Sequence, residues 1–157
     1  MRLRVTVLAL AVAALSGCDS LSPSDALVDL SDVQTDPAAL VSDYGWAAVS
    51  AVSDGGAYRF PEGVQFYVGF GPDGLVGGRV SANSFGGRYH AATDGSFRAE
   101  IESLTRVGVS DRDSELTGVL LGELQQATRF EVSGTTLQVR SANGDGVRLE
   151  WNGFRAQ

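Results

Sequence analysis

The run from Phe66 to Tyr89 constrains the fold more than any other part of the chain, because it reads as a strand, a turn and a return strand without a break. Val64, Phe66, Val68 and Phe70 alternate with Gln65, Tyr67 and Gly69, the period-two pattern of a half-buried strand. Pro72-Asp73-Gly74 then turns the chain, since proline presets φ and glycine tolerates the positive φ of a tight corner. The return strand through Val76, Gly78, Val80 and Ala82 completes a β-hairpin. Asn83-Ser84-Phe85-Gly86-Gly87-Arg88-Tyr89 follows as a glycine-flanked aromatic corner.

The same alternation places further strands on either side. Trp46 to Val52 reads as a strand before the hairpin, and Ser53-Asp54-Gly55-Gly56 breaks it from the next. After the turn Thr93-Asp94-Gly95-Ser96, alternate positions from Phe97 through Ala99, Ile101, Ser103, Thr105 and Val107 to Val109 predict one long strand with a wet outer face. One helix follows, capped by Asp111 or Asp113, with Leu116, Val119, Leu120, Leu124 and Ala127 on its apolar face. Arg129–Val132, Leu137–Arg140 and Val147–Trp151 close the chain as short strands, joined at Ser133-Gly134-Thr135 and across 142–146. Many short strands, one helix and twenty glycines predict a mainly β (α+β) fold: a small antiparallel sheet curled into a split barrel and interrupted by the helix.

The N-terminus has a different character. Arg2 and Arg4 precede an apolar run from Val5 to Leu15, and Leu15-Ser16-Gly17-Cys18 resembles a bacterial lipobox. The run falls short of the roughly 20 residues a spanning helix needs. The resemblance implies a lipoprotein signal peptide over 1–17, cleaved before Cys18, with Cys18 lipidated and holding the protein on a membrane leaflet of the cell envelope. A single acyl chain binds marginally, whereas two or three anchor stably. Residues 18–38 read as the lipidated cysteine and an acidic, proline-punctuated tether, with a short helix over Leu27–Val33 as the alternative. The folded domain is placed at 39–155. Cys18 is the only cysteine, so no intramolecular disulfide can form.

Charge narrows the partners. Every basic residue is arginine, and removal of a signal peptide with Arg2 and Arg4 leaves ten arginines against nineteen carboxylates. Such a surface disfavours nucleic acid, whose phosphates require basic patches. Its simplest meaning is solubility.

Read together, Gly77, Gly78, Asn83, Phe85, Gly87, Tyr89, Thr105, Glu115, Phe130, Val132, Gly134, Leu137, Gly146, Leu149 and Trp151 stand in an order that resembles the META domain, the family of HslJ, over about Val41 to Trp151. The resemblance implies a split β-barrel with one helix. It also implies envelope proteins linked to stress, with no catalytic activity or cofactor, and marks Gly78, Asn83, Phe85, Gly87, Tyr89 and Thr105 as structural or binding positions. Where relatives often carry two cysteines, this chain has Ala82 and Val109. If those positions are neighbours, Ala82 and Val109 pack together on the inward side.

Other constellations invite chemistry and have plainer readings. Gly69-Phe70-Gly71-Pro72-Asp73-Gly74 spells a dinucleotide motif, but Pro72 and a returning strand stand where a helix must begin. His90 is the only histidine and reads as an exposed residue after Tyr89. Glu100 and Glu102 share a face with Arg98 and Arg106, which predicts a solvated ion-pair surface rather than a catalytic pair. Asn143, Asp145 and Gly146 match part of a calcium loop without its first and twelfth ligands, so no metal is expected. The expected function is non-enzymatic: an envelope protein that binds or protects an envelope component. The alternatives are a carrier of a small apolar ligand or lipid inside the barrel, and an inhibitor of a cell-wall hydrolase. An empty apolar interior of about 300 Å³ or more would favour the carrier, and a filled interior with an exposed apolar patch would favour binding.

Overall fold

The computed structural model describes residues 33–41, 44–63, 65–141 and 148–155. The expected signal peptide over 1–17, Cys18, the expected tether up to residue 32 and residues 142–147, with the expected loop 142–146 and Val147, lie outside the described residues. The strands are β1 (Val33–Gln34), β2 (Tyr44–Ser53), β3 (Gly56–Arg59), β4 (Phe66–Phe70), β5 (Leu75–Val80), β6 (Asn83–Ala91) and β7 (Phe97–Leu104). After the helix α1 (Asp111–Gln126) come β8 (Ala127–Ser133), β9 (Thr136–Ser141) and β10 (Leu149–Arg155). The strands form a single antiparallel sheet in the order β1-β8-β9-β10-β2-β4-β5-β6-β7, with β3 beside β2. No helix among the described residues is long and apolar enough to cross a membrane.

The hairpin forms as expected, with Phe66 opposite Val80, Val68 opposite Gly78 and Phe70 opposite Val76. Its alternate residues point into a core shared with Trp46, Phe85, Phe97, Phe130, Val139, Leu149 and Trp151. Leu116, Leu120 and Leu124 of α1 plug this concave face, each fully buried. Fully burying a leucine stabilises by roughly 1.5–3 kcal/mol, so this one helical face anchors the helix that the sheet surrounds.

The mainly β fold with one helix is therefore present, but the sheet does not close into a barrel by a continuous ladder. Its ends meet at a single bridge, Ser96 opposite Arg129, where the Phe130 amide donates to the Gly95 carbonyl at 2.9 Å. Several local expectations also change. The stretch Asn83–Tyr89 is not a corner but most of β6, paired with both β5 and β7. The long strand predicted up to Val109 stops at Leu104, opposite Phe85; beyond it the Thr105 amide still reaches the Ser84 carbonyl, but the segment is then held by the Asn83 side chain and not by a ladder. Ser110, not Asp111 or Asp113, caps α1, its Oγ accepting from the Asp113 amide at 3.1 Å. Val33 and Gln34 pair with Ser133 and Val132, so ordered chain begins before Ala39. Ala82 is exposed in the turn between β5 and β6, and Val109 lies in the segment after β7, half-buried and outside the core. The inward packing expected of that pair is absent.

Candidate functional site

Among the motif residues, the structure brings Asn83 and Thr105 together. Asn83 is buried at the start of β6, where its Oδ1 accepts from the Val107 amide at 2.6 Å and its Nδ2 donates to the Val107 carbonyl at 3.2 Å. Thr105 donates from Oγ1 to Asn83 Oδ1 at 3.3 Å and accepts there from the Ser84 amide at 2.8 Å. The pair thus serves as a substitute strand for the segment leaving β7. Phe85 fills the core one step along β6. Gly78 and Gly87 are required by space: a Cβ at Gly78 would strike the Tyr67 carbonyl and the Phe85 ring, and one at Gly87 would strike the Glu100 carbonyl.

Tyr89 donates its hydroxyl to the Gly71 carbonyl at 2.9 Å and meets Phe70 edge-on at 4.9 Å. Burial, then the charge of Asp73, raises its phenol pKa above the ordinary value. These contacts tie β6 to the turn of the hairpin and leave the hydroxyl engaged. His90 is exposed on the opposite face. Glu102 pairs there with Arg88 across the strands at 3.3 Å, a mostly exposed pair, rather than with Arg98 or Arg106. Motif residues and the charged face therefore support the fold or meet water, and they do not converge on a reaction centre.

The feature with binding geometry lies elsewhere. One edge of β2 is shared by two strands: Trp46 and Ala47 pair with β4, while Ser50 to Ser53 pair with β3. At the fork the Phe60 amide donates to the Val49 carbonyl at 3.1 Å, and the chain crosses from β3 towards β4. The crossing leaves an open groove of about 520 Å³ lined by Ala47, Ala48, Val49, Phe60, Pro61, Gly63 and Phe154, with Arg59, Glu62 and Asn152 as its polar members. Phe154 stands opposite Gly45 in register and meets Tyr67 edge-on at 5.6 Å, giving the groove an aromatic wall. A smaller groove of about 260 Å³ lies between Gln34, Trp46, Val132 and Thr135, near the entry of the chain. Sequence reasoning placed none of these residues in a binding site, because the fork depends on which strand pairs with which half of β2 and leaves no local pattern.

One further group is chemically unusual. Glu123 is buried on α1, and desolvation raises its carboxyl above the ordinary range, with Arg148 opposing and Asp54 adding to the shift. Arg148 itself donates to Ser141 Oγ at 3.2 Å and to the Val52 carbonyl at 3.3 Å.

The sequence matches no family model and no curated protein. Among solved structures, the chain is similar to a DUF4847 family protein from Bacteroides vulgatus, with a TM-score of 0.54 at 10% identity over 75% of this chain and 97% of the other. It is also similar to a protein from Burkholderia xenovorans solved by NMR, with a TM-score of 0.59 at 21% identity over 78% of this chain and 91% of the other. At these identities the likeness is one of fold.

Proposed function

We propose that the protein is a lipid-anchored envelope protein of META type that binds another envelope component in the groove at the β2 fork. The observation that carries this reading is an open groove with apolar walls on a domain whose interior is already filled. Trp151, Phe66, Phe130, Leu116, Leu120 and Leu124 occupy the space a carried ligand would need. That filling favours binding at the surface over carriage inside the sheet. Small-molecule and peptide sites are typically concave and apolar with a few fixed polar groups, which Arg59, Glu62 and Asn152 supply here. The lipobox-like Leu15-Ser16-Gly17-Cys18 supports anchoring, and the acidic residues after it support a tether that holds the domain off the headgroups.

Two measurements separate the halves of the proposal. Replacing Cys18→Ser in the full chain is expected to abolish acyl labelling and leave a soluble or unprocessed protein. Membrane attachment that survives signal removal would overturn the anchor. A photo-reactive residue at the exposed Glu62, irradiated in living cells, is expected to give a discrete adduct that Ala47→Arg removes by filling the groove. An adduct pattern unchanged by Ala47→Arg would overturn the binding site.

A further inference from the structure

We propose that the segment Leu104–Ser110 and the first turn of α1 form a self-complementary contact with a second copy of this chain. Its backbone is held in place before any partner arrives. Asn83, only 6% exposed, uses both ends of its amide on the backbone of Val107, and the Thr105 amide donates to the Ser84 carbonyl at 2.9 Å. A buried side chain is thus committed to a segment whose own side chains, Val109 apart, face water. Val107 is 55% and Leu104 40% exposed, and these are two of the four exposed large hydrophobics among the described residues. Because the segment is already ordered, association does not pay for fixing it.

Charge identifies the occupant. The chain carries a formal net charge of −7, so most contacts between two copies are repulsive. This patch carries both signs, Arg106 and Arg112 with Asp111 and Glu115, all exposed. None of the four is in an ion pair among the described residues. Asp113, the other acid of the first turn, is already engaged as acceptor for Ser81 Oγ at 3.0 Å. A two-fold contact repeats each pairing, so Arg106 of one copy meeting Asp111 of the other gives two such pairs around an apolar centre of Leu104 and Val107. One loop and one helical turn offer less area than the 1,200 Å² or so of a stable complex, so the association is weak and reversible. It uses none of the groove residues and does not depend on the groove reading.

The test is sedimentation velocity of the full chain carrying Cys18→Ser over a rising concentration series. The parent is expected to self-associate, and Val107→Asp or Arg106→Glu to weaken the association constant by about tenfold or more. Adding Asp111→Arg to Arg106→Glu should restore it, whereas Val52→Asp, at a position 47% exposed elsewhere, should leave it unchanged. All these side chains face solvent, and a thermal melt of each variant checks that the fold is kept. A parent whose sedimentation is independent of concentration overturns the contact, as does equal weakening by Val52→Asp or failure of the charge swap to rescue.

Discussion

At the scale of single residues, the sheet depends on a few positions where chemistry and space are matched, and Glu123 is where they conflict. Its carboxyl sits on the buried face of α1, and desolvation raises its pKa despite the opposing charge of Arg148. The folded state therefore holds this proton more firmly than the unfolded chain does. Such a group contributes fully below the ordinary glutamate value, about 4.3, and its contribution is lost as pH rises through the higher folded value. Toward neutral pH that contribution falls away, so Glu123→Gln should raise the melting temperature at pH 7 relative to its effect near pH 4. Melts of both proteins across that range decide it, and an equal difference at both ends would show that Glu123 does not titrate there. Asn83 shows the opposite case: a buried polar side chain whose amide is satisfied by backbone, which makes its burial tolerable.

At the scale of elements, α1 is the piece that the concave sheet is built around. Leu116, Leu120 and Leu124 have no exposed surface, and Ser110 satisfies the free Asp113 amide at the N-terminus. Leu120→Ala should cost about 2–5 kcal/mol, through lost transfer energy and the cavity left behind. Ser110→Ala should cost about 0.5–2 kcal/mol. Chemical denaturation of the two variants should keep that order, and a Leu120→Ala midpoint equal to the parent's would show that α1 is not the plug. The helix was legible in the sequence because its apolar spacing is local, as were β4, β5 and the start of β7. The strand β3 was not, since Gly56 and Ala57 are exposed and carry no alternating pattern. For β6, Gly86 and Gly87, the latter forced by contact with Glu100, looked like turn residues. Past Leu104 the period of two continued through Thr105, Val107 and Val109, but the ladder gave way to bonds from the Asn83 side chain, so pattern outran structure. The groove was invisible for a related reason: it arises from the division of the β2 edge between β3 and β4, a long-range register that no short window holds.

At the scale of the whole molecule, the sheet has two ends, and its integrity rests on how they meet. Strand β7 lies at one end of the path and β1 with β8 at the other. Between them stand the single bridge of Ser96 with Arg129, the Phe130 amide on Gly95, the Arg129 Nη2 donation to the Asp94 carbonyl at 2.8 Å and the Thr35 Oγ1 donation to the Thr93 carbonyl at 2.8 Å. Most other strand pairs share ladders of four residues or more, β1 with β8 and β2 with β4 sharing two, whereas this seam has one bridging pair and is where opening should begin. Residues directly opposite in an antiparallel pair have Cα atoms about 4.5–5.5 Å apart, within the reach of a disulfide. Ser96→Cys with Arg129→Cys, in a Cys18→Ser background that removes the only other thiol, should therefore close the seam covalently. Cross-linking positions this far apart in sequence removes roughly 3–4 kcal/mol of unfolded-state entropy, and losing the Arg129 hydrogen bond returns about 1 kcal/mol. The oxidised protein should be more stable than its reduced form by about 3–4 kcal/mol, read as the shift in denaturation midpoint between the two, and more stable than the Cys18→Ser parent by about 2–3 kcal/mol. Unfolding should slow by a comparable factor if the seam opens before the rest of the sheet, because the link then stabilises the native state against the step that limits unfolding. A gain in stability that appears only as faster folding would place the first opening elsewhere, at the β2 fork or the β3 edge. No gain at all would mean that the sheet ends stay together without the bridge, held by the core contact of Phe97 with Phe130.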